Sequence, residues 1–150
     1  MHAQRSFVER LKAAPLLYVV ALYAFMGGLM FLFIQTGKLL QPQAAEQEML
    51  LSPLGRFDWG FVWADTLVPM LMLIGGALCV LWERYRLGLL LIFGGCAINL
   101  YATIFLIVGF NAVGKPMAGA DFIILVVEAL LGVGCMVYAA NVLVNERAVR

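Results

Sequence analysis

Apolar residues in this chain gather into four long blocks, and the polar residues crowd into the stretches between them. The blocks cover residues 15–34, 61–82, 87–110 and 121–144. A helix that crosses an apolar slab of roughly 30 Å takes about 20 residues, and each block meets that length. The first holds no charge, the second only Asp65 near its start, and the fourth holds Glu128 seven residues in from Asp121. Pro15 opens the first block, at a position where a helix needs no N–H. Pro69 falls inside the second, where neighbouring helices can satisfy the carbonyl it frees. The pattern predicts an all-α integral membrane protein: a single antiparallel four-transmembrane-helix bundle spanning residues 1–150.

The connections differ in character. Trp82 to Arg86 leaves room only for a tight turn, so the second and third helices should form a hairpin. Asn111 to Ala120 is short and rich in glycine. The stretch between the first two spans is longer and patterned. Gln43–Leu51 (QAAEQEMLL) is a run of helix formers stopped by Ser52-Pro53. Phe57, Trp59, Phe61 and Trp63 follow, aromatic residues suited to the headgroup zone. A structured extracytoplasmic connection is expected here, either an interfacial anchor or a lid over the outer mouth.

Composition agrees with the pattern and narrows the function. Of 150 residues, 64% are hydrophobic and 13% charged, against about 45–50% and about 25% in soluble domains. Arg5, Arg10, Lys12, Arg84, Arg86, Arg147 and Arg150 fall on one side of the predicted bundle, and Lys38, Arg56 and Lys115 on the other. That imbalance predicts that both termini lie in the cytoplasm. The basic N-terminal tail ahead of the first span resembles a signal sequence, but its apolar run is too long and no small-residue cleavage site follows, so an uncleaved anchor is expected. Net charge is +1 with no basic stripe, which argues against nucleic acid. His2 is the single histidine and the three cysteines share no C-x-x-C spacing. Histidine-ligated haem, a catalytic triad and a held transition metal are therefore not expected, and Cys79, Cys96 and Cys135 read as small packing residues.

Paired glycines sit in the first three blocks, at Gly27-Gly28, Gly75-Gly76 and Gly94-Gly95, with Gly132 and Gly134 in the fourth. Apolar helices gain little hydrophobic drive from meeting in lipid, so these small residues read as notches for close packing. The polar residues inside the blocks fall in one region, the outer half of the bundle. Glu128 lies about 10 Å below the outer boundary at a rise of about 1.5 Å per residue. Asn99 and Thr103 share a helix face, Thr103 near that depth and Asn99 one turn deeper. Asp65 enters from the same end, and Gln35, Thr36 and Lys38 close the first helix there. An acid within a membrane helix costs roughly 2.5–3.5 kcal/mol and marks function by default. The expected site is an outward-facing polar pocket built from Glu128, Asp65, Asn99, Thr103, Lys38 and Gln35. It would bind a headgroup or pass a proton; the alternative is a Glu128 that braces helices through Asn99 or Thr103.

Phe33-Ile34-Gln35-Thr36-Gly37-Lys38-Leu39 resembles the close of the first helix in DoxX-like small membrane proteins. Lys38 through Pro42, Glu46 and Ser52-Pro53-Leu54 are similar to the YkgB-like branch, which includes an inner-membrane protein linked to reactive-chlorine resistance. Asp65 stands where that family opens its second helix with an acid, usually glutamate, and Gly75-Gly76 with Arg84 fits its glycine-then-basic-turn pattern. The last helix matches poorly, so Glu128 takes no role from the resemblance. What the resemblance implies is a four-helix inner-membrane protein, sometimes partnered with redox enzymes or quinone metabolism, with a link to oxidant stress. Three functions compete. An accessory or binding protein, holding a small amphiphile or a membrane partner protein, leads. A quinone-linked redox subunit needs a cofactor, and no ligand set for one is present. A proton-coupled transporter would have to act as an oligomer. No cofactor is expected, and the bound species would be a lipid or a quinone.

Overall fold

The computed structural model describes residues 7–41, 43, 57–114 and 119–145, and among these the regular structure is entirely helical. The short helix α1, Phe7–Ala13, precedes four longer ones: α2, Pro15–Leu40; α3, Phe57–Val80; α4, Tyr85–Ala112; and α5, Gly119–Val144. Three carry stretches long and apolar enough to cross a membrane: Pro15–Gly37, Tyr85–Ala112 and Phe122–Val144. The described apolar stretch of α3, Thr66–Val80, is shorter. The architecture is that of a helical membrane bundle.

The helix α1 was not expected from the sequence, which suggested only a basic tail. Its residues are ordinary helix formers, and Pro15 separates it from α2 because the residue before a proline avoids the helical region. Ala14 accordingly takes φ −141° and ψ 64°. α2 also runs past the expected limit at residue 34, to Leu40, so the start of the long connection continues the span. Residues 57–60, expected in the connection, instead begin α3; apart from residues 41 and 43, the stretch between, with the expected lid or anchor, lies outside the described residues.

Consecutive long helices pack against one another, α2 on α3, α3 on α4 and α4 on α5. Glycines set the first two contacts. A methyl group on Gly28 would stand 2.7 Å from the Pro69 carbonyl oxygen and 2.7 Å from the Leu73 nitrogen. One on Gly76 would stand 2.6 Å from the Ala21 carbonyl oxygen. Residue numbers rise along one helix as they fall along the other, so α2 and α3 are antiparallel. The α3–α4 hairpin is built in the same way. Gly75 and Gly88 meet backbone to backbone near the turn, and Gly95 abuts Met72 and Val68 further along. One glycine of each expected pair in α2 and α4 is thus a notch; Gly94 has open space beside it, as does Gly134 in α5.

The buried core is Leu17, Tyr18, Ala21, Ala24, Cys79, Leu89, Ile92 and Cys96 with their neighbours. Outside it, Leu22, Met26, Met30 and Phe33 on α2, Leu90 and Ile104 on α4, and Ile123, Leu130 and Val137 on α5 are exposed. A surface that apolar suits lipid and not water.

Candidate functional site

α2 and α5 do not pack along one another, yet both contribute to one cavity. Its volume is about 300 Å³. The lower limit for small-molecule sites is also about 300 Å³. Tyr23, Gly27 and Phe31 line it from α2, Val68, Pro69 and Met72 from α3, Asn99, Thr103 and Leu106 from α4, and Leu125, Glu128 and Leu131 from α5.

The contributors follow helical spacing. Tyr23, Gly27 and Phe31 recur every four residues on one face of α2, and Asn99 and Thr103 do so on α4. Gly27 leaves room: a methyl group there would touch only the end of Met72, at 4.0 Å. The polar part of the wall is therefore Glu128, Asn99, Thr103 and Tyr23, set among aliphatic and aromatic side chains. Thr103 is buried, while Glu128, Asn99 and Tyr23 are half-buried. Among the described residues no hydrogen bond joins Glu128 to Asn99 or Thr103. All three line the same cavity.

Three of the six residues expected to share a pocket, Glu128, Asn99 and Thr103, do line this cavity. Gln35 does not. It is only 4% exposed, one turn beyond Phe31, and its Oε1 has no hydrogen-bond partner. Extending the glycine contacts between α2 and α3 puts its backbone level with that of Asp65. The side chains of Asp65 and Lys38 lie outside the described residues. Thr36 is used locally: its hydroxyl donates to the Leu32 carbonyl at 2.7 Å.

Tyr23 is the residue that sequence reasoning missed. Its signal was a tyrosine deep in an otherwise apolar span, four residues before a glycine, where a hydroxyl needs a partner. No group of three or more His, Cys, Asp or Glu that could hold a metal occurs among the described residues.

No family model, curated protein or solved structure matches this chain. Its function must be argued from the cavity itself.

Proposed function

We propose that this chain is an accessory or binding protein of the bacterial inner membrane that holds a small amphiphile in the cavity between its four long helices. The observation that carries this reading is the convergence of Glu128, Asn99, Thr103 and Tyr23 on an apolar-walled space without hydrogen bonds from Glu128 to Asn99 or Thr103. A bracing glutamate would be expected to bond to its helix neighbours. A receptor for a polar head keeps its groups available and supplies apolar walls for the tail. The occupant would enter from the bilayer between α2 and α5, the two helices that share the cavity without packing on each other.

On this reading both termini face the cytoplasm and the Glu128 end of the bundle faces outward, as the distribution of basic residues favours. Kinship with DoxX-like proteins of the YkgB-like branch, and a link to oxidant stress, belong to the same proposal. Glu128, Asn99 and Thr103 are the groups assigned to ligand, with Tyr23 beside them. Asp65 and Lys38 are proposed to belong to the same site.

The test is purification in a mild detergent followed by mass spectrometry of what stays bound. A stoichiometric lipid or quinone, lost on enlarging Asn99 or Thr103 to leucine, is the expected result. Protein that purifies bare, and that takes up neither class from mixed micelles, would sink the proposal. A bound quinone would move the function toward a redox subunit while keeping the site.

A further inference from the structure

Glu128 belongs to the apolar stretch Phe122–Val144 and lines the cavity, yet among the described residues it makes no hydrogen bond and no ion pair. None of the described residues lining that cavity is a lysine, an arginine or a histidine. Asp65 and Lys38, proposed for the same site, carry opposite charges and cancel. Glu128 is then the acid left without an opposite. An ionised carboxylate in apolar surroundings needs a counter-charge.

We propose that the cavity takes an amphiphile whose head is an ammonium cation, which brings the missing counter-charge to Glu128. The inference rests on the cavity being a ligand site and names the class of ligand. The rest of the wall suits that head. Tyr23 and Phe31 stand on one face of α2, on either side of Gly27, and both line the cavity. Gly27 leaves room between them, since a methyl group there would meet only the end of Met72, at 4.0 Å. Aromatic rings attract ammonium groups through their negative faces, most strongly where water is excluded. Asn99 and Thr103 add oxygen acceptors to the same wall.

Other charged species fit poorly. A head bearing only phosphate or carboxylate would bring like charge to Glu128, and no described basic residue lines the wall to receive it. A bare divalent cation asks for about six oxygen ligands, whereas most of this wall is carbon. An ammonium with apolar substituents meets both demands at once. Its charge answers Glu128, and its substituents pack on Val68, Leu106 and Leu125. Such a head belongs either to an aminolipid of the membrane or to a free lipophilic amine.

The test uses the full-length protein in dodecyl maltoside, an uncharged detergent, and two probes of one shape. Benzyltrimethylammonium is the cation; neopentylbenzene puts carbon in place of its nitrogen. Ligand-observed NMR titrations at one micelle concentration compare the wild type with Glu128→Gln. The cation should bind the wild type saturably and the variant about tenfold more weakly or worse. Neopentylbenzene should bind the two proteins alike, which also shows that the variant is folded. A second comparison needs the wild type alone: phenylmethanesulfonate, a similar ring with a negative head, should bind about tenfold more weakly than the cation. Phosphatidylethanolamine added to the micelles separates the sources, since displacement of the cation points to an aminolipid and no displacement to a free amine. Cation affinity unchanged by Glu128→Gln, or a sulfonate bound as tightly as the cation, would overturn the proposal. Binding of neopentylbenzene without the cation would overturn it while leaving the cavity a ligand site. If neither probe binds, both readings fail.

Discussion

The Tyr18 hydroxyl sits 3.1 Å from the Tyr85 hydroxyl, 67 positions away along the chain. The contact links α2 directly to the start of α4, past the α3 helix that lies between them in sequence. It closes the hairpin end of the bundle, where Tyr18 is 1% exposed. Hydrogen bonds between membrane helices contribute about 0.6 kcal/mol on average and reach about 1.7 kcal/mol. Tyr18→Phe and Tyr85→Phe should therefore each cost about 1 kcal/mol in a micellar unfolding titration. The double variant should cost markedly less than the sum of the two, because both remove one contact. Strict additivity would show that the hydroxyls act separately.

The glycines divide into two classes with opposite expectations. Gly76→Ala drives a methyl group to 2.6 Å from the Ala21 carbonyl oxygen and 2.8 Å from the Phe25 backbone nitrogen. Backbone cannot rotate away, so α2 and α3 must separate, at a cost of about 1–3 kcal/mol. Gly94→Ala meets nothing within 4 Å and should leave stability unchanged or raise it, since alanine favours helix over glycine by about 1 kcal/mol. Thermal unfolding of the two variants side by side checks the contrast. Equal losses would mean that these contacts do not set the α2–α3 approach.

Orientation in the membrane is tested by labelling. A cysteine at Gly114, exposed in the turn after α4, should react with an impermeant maleimide added from outside. A cysteine at Trp82, exposed in the α3–α4 turn, should react only after the membrane is opened. The native cysteines are buried and add little background. The reverse pattern would place the Glu128 end on the cytoplasmic side.

Glu128→Gln nearly preserves the shape of the side chain and should change stability by less than about 1 kcal/mol. If the carboxyl group meets a ligand, affinity should drop about tenfold or more, the equivalent of about 1.4 kcal/mol. Tyr23→Phe, which removes one hydroxyl from the same wall, should also leave the fold intact and weaken the same ligand. Binding of the co-purified amphiphile, titrated against intrinsic tryptophan fluorescence, measures both. A Glu128→Gln protein with full affinity and lowered stability would return the glutamate to the role of a helix brace.

Much of the fold was legible one block at a time. Nothing in hydrocarbon can satisfy a backbone N–H or C=O except the chain itself, so a long apolar block must be a helix whatever its neighbours are. The hairpin at Trp82–Arg86 and the packing role of Gly28, Gly75 and Gly76 followed from the same local logic. The site was legible in depth but not in direction. Glu128, Thr103 and, one turn deeper, Asn99 were placed in one region by counting residues, and all three line one cavity. Gln35, counted to the outer end of the same region, is buried outside the cavity, with its Oε1 unpartnered.

By itself, then, the sequence determined that the chain forms long apolar helices, roughly where each begins and ends, and how far along each axis its polar groups lie. Tertiary structure alone decided how each helix is turned about its axis. That rotation brings Tyr23 to the cavity, and it chooses Gly95 over Gly94 as the notch. In a soluble helix, water on one side and core on the other leave a stripe that reveals the rotation. Here lipid and core are equally apolar, the stripe disappears, and only the fit of one helix surface against the next selects the facing side chains.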